Sequence, residues 1–171
     1  MGNFLSTDYP DITAYAKLTP CENTVVKIKD NFFKEKAIFS ANPEALEVFT
    51  FDFINQTKTK IDFSQPNSIL LSRELAEKYF NHTDIVDKII TIGDADYTIK
   101  GVFENWPANA HLHPNALIYS AMDANYELQD WFDLEHYNYV LLAPTTEQKD
   151  LENSLAQLKT KSSNWCHSKF S

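Results

Sequence analysis

The clearest pattern of apolar and polar positions along this chain is a strand followed directly by a helix. Residues 67–71 form a short apolar run bounded by polar residues, which predicts a buried strand. Residues 73–80 carry an apolar stripe opposite charged positions, which is typical of an amphipathic helix. Ser72 stands at the N-cap position of this helix, and Asn81 can take the left-handed conformation that ends it.

A β-hairpin is predicted next along the chain. Residues 89–92 and 97–104 are its two arms, and residues 93–96 (Gly-Asp-Ala-Asp) form its turn. Strict alternation in the second arm would place four residues on one shared face: Tyr97, Ile99, Gly101 and Phe103. Residues 105–111 are rich in turn-forming residues and end the hairpin.

Weaker patterns predict the other elements. Helices are expected at residues 8–18, at 42–49 behind Pro43, and from Thr145 onward with Leu151, Leu155 and Leu158 inward. Strands are expected at residues 24–29, 32–41, 116–121 and 137–143, with a turn at residues 30–31 and a loop at 123–136. In the 32–41 strand one face would carry Phe33, Ala37 and Phe39, and Phe51 and Phe53 have strand spacing. Helices and strands together predict an α+β fold.

Composition and charge narrow the classes of function. The 171 residues are 43% hydrophobic and 23% charged, which indicates a globular chain that can bury a core. The formal net charge of −9 and the single arginine, Arg73, argue against nucleic acid as a partner, because phosphate binding needs clustered Lys and Arg. No stretch reaches the ~20 apolar residues of a membrane-spanning helix, and the sequence shows no signal-peptide pattern.

Candidate catalytic and metal-binding residues are sparse. His111 and His113 are the one histidine pair with metal-ligand spacing on a strand, and Asp123 or Glu104 could complete a site, but nothing fixes the other ligands that zinc needs. No Gly-x-Ser-x-Gly sequence or phosphate-binding loop occurs among three glycines. Asp94 and Asp96 are better explained by the hairpin turn. We therefore expect no enzyme activity, no cofactor, no metal and no nucleotide site.

Two cysteines, Cys21 and Cys166, lie near opposite ends of the chain. An oxidising compartment would allow a disulfide bond between them, which would stabilise the fold by about 4 kcal/mol through loop closure. The alternative is two unrelated thiols, because disulfide connectivity cannot be deduced from the sequence. Both interpretations stay open at this point.

Three aromatic residues are candidates for binding a partner: Trp106, Trp131 and Phe132. Exposed Trp and Phe side chains are enriched where proteins bind one another. Packing into the core is the alternative role for all three.

The order of these elements resembles the MacB-like periplasmic core domain of FtsX-type ABC transporter permeases, the soluble part between the first and second membrane helices. The resemblance rests on residues spread over most of the chain: 9–15, 49–51, 66–72, 76–80, Asp84, Lys88, Tyr97, 100–104, Pro107, His111, 117–120 and 137–142. The family usually has Pro and Gly where this chain has Ile85 and Asp87. Because aspartate tolerates positive φ less well than glycine, the tight turn expected there is in question.

The resemblance implies a fold of mixed sheets with a βαβ-rich porter-like lobe and an inserted β-rich sabre-like lobe. Residues 7–36 and 136–171 would form the porter-like lobe, and residues 37–135 the sabre-like lobe. It also implies that residues 1–171 are an excised part of a permease, without the membrane helices on either side.

By the same resemblance, the chain would be a non-catalytic extracytoplasmic domain that transmits ATP-driven motion to a periplasmic partner or cargo. Its partners would be its own permease membrane helices and a separate ATPase subunit or domain. It would lie at the periplasmic face of the bacterial inner membrane, and the isolated chain would be monomeric. The alternative is a free-standing secreted ligand-binding module that uses exposed aromatic residues.

Overall fold

The computed structural model describes residues 12–54, 56, 61–121, 136–146 and 149. The strands are β1 (Ile12–Pro20), β2 (Thr24–Ile28), β3 (Asn31–Glu35), β4 (Ile38–Ala41), β5 (Ser68–Ser72), β6 (Ile89–Ile92), β7 (Ala95–Phe103), β8 (Ala116–Tyr119) and β9 (Tyr137–Leu142). Two helices accompany them, α1 (Ala45–Val48) and α2 (Arg73–Phe80). Mixed strands with few helices confirm the α+β prediction.

All nine strands join one mixed sheet in the order β3-β2-β6-β7-β5-β8-β4-β1-β9. Most neighbours are antiparallel, while β5 pairs with β7, and β4 with β8, in parallel. The sheet therefore runs through segments from both predicted lobes. The division into a porter-like and a sabre-like lobe stays a prediction.

Apolar side chains form two clusters on the sheet. The first cluster includes Val26, Ile90 and Ile99 and packs against Leu75, Ala76 and Tyr79 of α2. The second includes Leu18, Leu70 and Phe103 and packs against Ala45 and Leu46 of α1 and against Phe51 and Phe63. The central strand β5 supplies both clusters, because all five of its residues are buried. A strand covered on both faces reads as a continuous apolar run, which is why the sequence pattern found it.

The predicted helix at residues 8–18 is wrong over its described part, which forms β1. Its apolar positions Ile12, Tyr15 and Ala16 match helical spacing, and this pattern favoured a helix. In the structure β1 lies between β4 and β9, and both of its faces are covered, so Ala14, Tyr15 and Ala16 are all buried in succession. Burial on both faces removes the period of two that identifies a strand.

The predicted strand at residues 32–41 is divided into β3 and β4. β3 ends the sheet beside β2, whereas β4 lies between β8 and β1. Phe33 consequently packs with the first cluster and Phe39 with the second, so the predicted shared face is wrong. The preceding turn lies at residues 29–30, where Lys29 takes a φ of 55°, and not at residues 30–31.

The hairpin of β6 and β7 is confirmed, but its turn is residues 93–94 and not 93–96, because Ala95 and Asp96 pair with Ile92 and Thr91. Its predicted face is wrong beyond Ile99. The pairing with β5 shifts register there, with Ile69 opposite Ile99 and Leu70 opposite Gly101. Such a bulge adds one residue and reverses the alternation after it. Ile99 and Val102 therefore share the first cluster, whereas Phe103 belongs to the second.

The predicted start and end of α2 are confirmed. The Ser72 side chain accepts a hydrogen bond of 3.2 Å from the backbone N–H of Leu75. Asn81 has a φ of 60°, and its backbone N–H donates to the Glu77 carbonyl. The short helix behind Pro43 is also confirmed as α1, but Phe51 and Phe53 do not form a strand and contribute one isolated bridge, from Phe53 to Phe103.

Replacing Ser72 by alanine is expected to lower the free energy of unfolding by about 1 kcal/mol, because the Leu75 N–H loses its acceptor at a fully buried position. Urea unfolding of the two proteins measures this difference. Ser72→Thr is the matched control, since it keeps the hydroxyl and should retain most of the stability. Equal stability of Ser72→Ala and the original chain would show that the cap contributes nothing.

The tight turn before β6 is formed with Asp87 in place of glycine. Asp87 has a φ of 64°, and its backbone N–H donates to the Ile99 carbonyl at 2.8 Å. Its carboxylate lies 3.2 Å from the Lys100 ammonium, but the Asp87 side chain is 75% exposed, so this ion pair contributes little. The turn therefore forms although aspartate is strained in this backbone conformation.

We expect Asp87→Gly to raise the free energy of unfolding by about 0.5 kcal/mol, because glycine adopts positive φ without a steric cost. Asp87→Ala removes the same carboxylate but keeps a Cβ atom, and we expect it to be destabilising. Urea unfolding of this pair separates backbone strain from the ion pair. If both variants lose stability equally, the carboxylate and not the backbone governs this turn.

Three further predictions concern the two cysteines, the C-terminal helix and membrane-spanning helices. Cys21 is half-buried, and burial raises the pKa of its thiol, while Cys166 lies outside the described residues, so their pairing stays open. The predicted C-terminal helix with Leu151, Leu155 and Leu158 also lies outside them. Among the helices of the described part of the chain, none has the length and apolar character needed to cross a membrane.

Candidate functional site

An open groove lies where the segment after α1 meets the loop after β7. Its volume is about 410 Å³. The lining residues come from residues 49–52 and 104–110: Phe49, Thr50, Phe51, Asp52, Glu104, Asn105, Trp106, Pro107 and Ala110. Two backbone hydrogen bonds of 2.8 Å hold the walls together, from Glu104 N–H to the Asp52 carbonyl and from Ile54 N–H to the Val102 carbonyl.

Aromatic rings form the floor of this groove. The Trp106 ring centroid lies 5.3 Å from that of Phe49 and 5.6 Å from that of Phe51, both in edge-to-face arrangements. Phe51 is itself buried and contacts Phe103 in the second apolar cluster at 5.4 Å. Tyr139 of β9 contacts Phe49 at 4.9 Å. Because each ring is held by another ring or by the core, the groove keeps an apolar surface of defined shape.

Carboxylates stand at the rim of the groove. Glu104 receives two hydrogen bonds from the Arg73 guanidinium, at 2.7 and 2.5 Å, and Arg73 also approaches Glu77 at 3.4 Å. The hydrogen bonds from Arg73 hold the pKa of Glu104 below its ordinary value. Asp52 is exposed at the same rim. The groove thus combines an apolar floor with an acidic edge, of which Glu104 is already paired.

A histidine and two tyrosines adjoin the groove. His111 Nδ1 lies 3.0 Å from the Tyr139 hydroxyl, and the His111 ring packs edge-on against Tyr137 at 5.6 Å. Burial is the main cause of a raised pKa at Tyr139. His111 and His113 are both exposed, with the buried Leu112 between them. In the described part of the chain no group of three or more His, Cys, Asp or Glu residues could hold a metal ion.

The structure places one of the three predicted partner-binding residues in this groove. Trp106 is half-buried at its floor, whereas Trp131 and Phe132 lie outside the described residues. Phe49 and Phe51 were not predicted as site residues. The available signal was the aromatic residue at every second position of 49–53, but only the fold shows that this segment meets Trp106. Partner binding by Trp106 stays a prediction.

The polar groups lining the groove are the Thr50 hydroxyl, the Asn105 amide and the carboxylates of Asp52 and Glu104. Glu104 is held by Arg73, and Asn105 Oδ1 accepts a hydrogen bond of 3.1 Å from the backbone N–H of Glu74. The Thr50 hydroxyl and the Asp52 carboxylate can orient a bound polar or cationic group, while the aromatic floor can accept an apolar side chain. This arrangement suits binding of another molecule.

Comparison with solved structures defines the class of fold. A permease domain from Porphyromonas gingivalis is 21% identical and superposes with a TM-score of 0.74, covering 95% of this chain and 76% of that one. The periplasmic region of MacB from Actinobacillus actinomycetemcomitans is 12% identical, with a TM-score of 0.64 and coverage of 95% and 72%. The extracellular domain of the ABC-type transporter YknZ from Gram-positive bacteria is 16% identical, with a TM-score of 0.59 and coverage of 89% and 74%. The chain therefore has the fold of the extracytoplasmic domains of such permeases.

Residues 3–158 match the family model described as the MacB-like periplasmic core domain. The chain belongs to this family of periplasmic domains of ABC transporter permeases, which confirms the resemblance drawn from the sequence. No curated protein sequence matches the chain.

Proposed function

We propose that this chain is a non-catalytic periplasmic domain that transmits ATP-driven motion from its permease to a periplasmic partner or cargo. Its own permease membrane helices would anchor it at the inner membrane, and a separate ATPase subunit or domain would supply the motion. Membership of the MacB-like family supports the location and the link to an ATPase. The proposal adds the mechanical role and the partner.

The observation that carries the proposal is one sheet that joins the nine strands of the described residues, with an apolar cluster on each face of its central part. Residues Ile69, Leu70 and Leu71 of its central strand are fully buried, and they contribute to both clusters. Close-packed interiors have low compressibility, so a displacement applied at one edge of such a sheet moves the remainder with it. A domain that transmits motion needs this property.

The groove is the proposed point of contact with the partner. Trp and Phe side chains held in fixed orientations lose little conformational entropy on binding, so they are effective anchors. We expect an apolar side chain of the partner to lie over Trp106, Phe49 and Phe51. Trp131 and Phe132 remain further candidates for this contact.

Spin labels on the intact, reconstituted transporter test the mechanical role. The labels are attached at exposed positions Asp94 and Asn109, each changed to cysteine, after Cys21 and Cys166 are replaced by serine. The distance between the two labels within one domain should be the same with and without ATP. The distance between the Asn109 labels of two copies of the permease should change when ATP binds.

An unchanged distance between copies would contradict the transmission of motion. A changed distance within the domain would contradict its action as a rigid body. If neither distance responds to ATP while the chain binds a small molecule in the groove, the alternative of a ligand-binding module is favoured. An ATPase-inactive transporter is the control for effects of nucleotide binding alone.

Photo-crosslinking in the producing cell tests the groove. A photoreactive residue replaces Ala110 at the groove, and a second protein carries it at the exposed Asp84, in the loop after α2, as the control. We expect a discrete crosslinked partner at Ala110, absent at Asp84 and reduced by Trp106→Ala. Equal crosslinking at both positions would contradict the groove as the contact.

Light scattering of the isolated chain tests the proposal that it is monomeric.

A further inference from the structure

A second surface of the domain has uncovered apolar side chains. Phe32 of β3 is 67% exposed, Ile89 of β6 is 63% exposed and Val25 of β2 is 43% exposed. The strand pairs Lys27–Phe32, Lys27–Thr91 and Val25–Lys34 place these side chains on one face, because paired residues point to the same side of a sheet. We call this face the hairpin surface.

The hairpin surface is open because the second apolar cluster does not extend over it. The alternate residues of the same strands, such as Val26 and Ile90, face the first cluster and are almost fully buried. No residue of β2, β3 or β6 takes part in the second cluster, which is built on the other strands of the sheet. The described part of the chain therefore covers one face of these three strands and leaves the other exposed.

Lysine side chains outnumber carboxylates at this surface. The carboxylate on it is that of Asp96, which pairs with Thr91 and accepts a hydrogen bond of 2.8 Å from the Thr91 hydroxyl. Residues 27–36 contain four of the fifteen basic residues of the chain, Lys27, Lys29, Lys34 and Lys36, and two acidic residues. Of these acidic residues, Glu35 is buried and paired with Lys78. Among the described residues none of the four lysines forms an ion pair, and Lys27 Nζ lies 5.6 Å from the centre of the Phe32 ring. This segment carries +2 in a chain that carries −9 overall.

The edge of the sheet adds a third feature. In the described part of the chain β3 pairs only with β2, so its other side presents backbone N–H and C=O groups along the sheet edge. An extended segment of another protein can pair with such an edge as a further strand. Every second side chain of that segment would then lie next to the hairpin surface. Phe32 and Lys34 would meet the side chains of that segment.

We propose that the hairpin surface binds an acidic, extended segment of a partner protein, with apolar side chains over Phe32 and carboxylates beside the lysines. Charge complementarity selects this occupant. A second copy of the chain, pairing edge to edge, would bring the same lysines together, because lysines on an edge strand oppose such pairing. An anionic membrane would attract the lysines but repel the rest of the domain, which carries the excess negative charge.

The test measures binding of a fluorescein-labelled peptide of alternating glutamate and valine to the 171-residue chain by fluorescence anisotropy. We expect saturable binding that weakens as salt is raised, and no binding of the corresponding lysine–valine peptide. Lys34→Glu and Phe32→Asp should each weaken binding by about tenfold or more, as loss of a charge or an anchor at an interface does. The Lys149→Glu variant makes the same charge change at an exposed position outside the hairpin surface, and it should bind the peptide like the original chain.

Three results would overturn the proposal. The first would be no binding of the peptide, or equal binding to all variants, which would show attraction without a site. The second would be self-association in light scattering that Phe32→Asp abolishes, which would make a second copy the occupant. The third would be binding of phosphatidylglycerol vesicles through Phe32 without binding of the acidic peptide. The Lys34→Glu and Phe32→Asp variants leave every residue of the groove unchanged, so failure of this proposal is distinct from failure of the groove. Circular dichroism of each variant confirms folding, which exposed positions should not disturb.

Discussion

Replacing Phe103 by alanine should lower the free energy of unfolding by about 3–5 kcal/mol, the usual range for a buried Phe. Phe103 is fully buried in the second apolar cluster and contacts Phe51, which forms part of the groove floor. The loss combines apolar area returned to water with a cavity that the surrounding strands cannot fill. Urea unfolding followed by tryptophan fluorescence measures the change.

Phe32→Ala is the matched control for this prediction. It removes the same side chain from a position that is 67% exposed, so its effect should stay within about 0.5 kcal/mol. Phe103→Leu should lie between the two, because leucine fills part of the cavity. Similar losses of stability for Phe103→Ala and Phe32→Ala would contradict the assignment of Phe103 to the core and of Phe32 to the surface.

Replacing Glu35 by alanine should cost about 2–3 kcal/mol, the second largest effect. Glu35 is buried, and its Oε1 accepts hydrogen bonds from Lys78 Nζ at 2.7 Å and from the Tyr79 hydroxyl at 2.9 Å. Without the carboxylate, the buried Tyr79 hydroxyl has lost its acceptor, while the 43% exposed Lys78 side chain can turn to water. These hydrogen bonds join the end of β3 to α2. We therefore expect the hairpin of β2 and β3 to lose its contact with α2 before the rest of the fold is affected.

A double-mutant cycle of Glu35→Gln and Tyr79→Phe isolates the hydrogen bond between these residues. Burial, followed by the Glu35 carboxylate, raises the pKa of Tyr79 well above its ordinary value, so the hydroxyl remains a donor across the neutral range. Glu77→Ala, on the exposed side of the same helix, is the control and should have little effect. A coupling energy of zero would show that the two side chains contribute independently.

The groove shows which parts of a binding site a sequence can indicate. Trp106 was a candidate because exposed Trp side chains are enriched where proteins bind one another, with packing into the core as its alternative role. Phe49 and Phe51 were not, since their partners in the chain lie more than fifty residues away. Only the pairing of β7 with β5, and the bridge from Phe53 to Phe103, bring the two segments together. The hairpin surface is similar: the lysines and the two Phe residues of 27–36 are visible in the sequence, but the open face of the sheet is not.

Local interactions were determined by the sequence alone. The strand β5, the Ser72 cap, α2 with its end at Asn81, and the hairpin of β6 and β7 each depend on neighbours within a few residues. The order of these elements also identified the family. Propensity, capping and periodicity act over such short distances, and the sequence displays them directly.

The tertiary structure decided what depends on distant contacts. Residues 12–20 form a strand because β4 and β9 supply hydrogen bonds on both sides, although their apolar spacing suits a helix. The break between β3 and β4 sends neighbouring residues to different parts of one sheet, and the bulge near Gly101 reverses a face. Strand pairing joins residues far apart in the chain, so its register and burial follow from the whole fold.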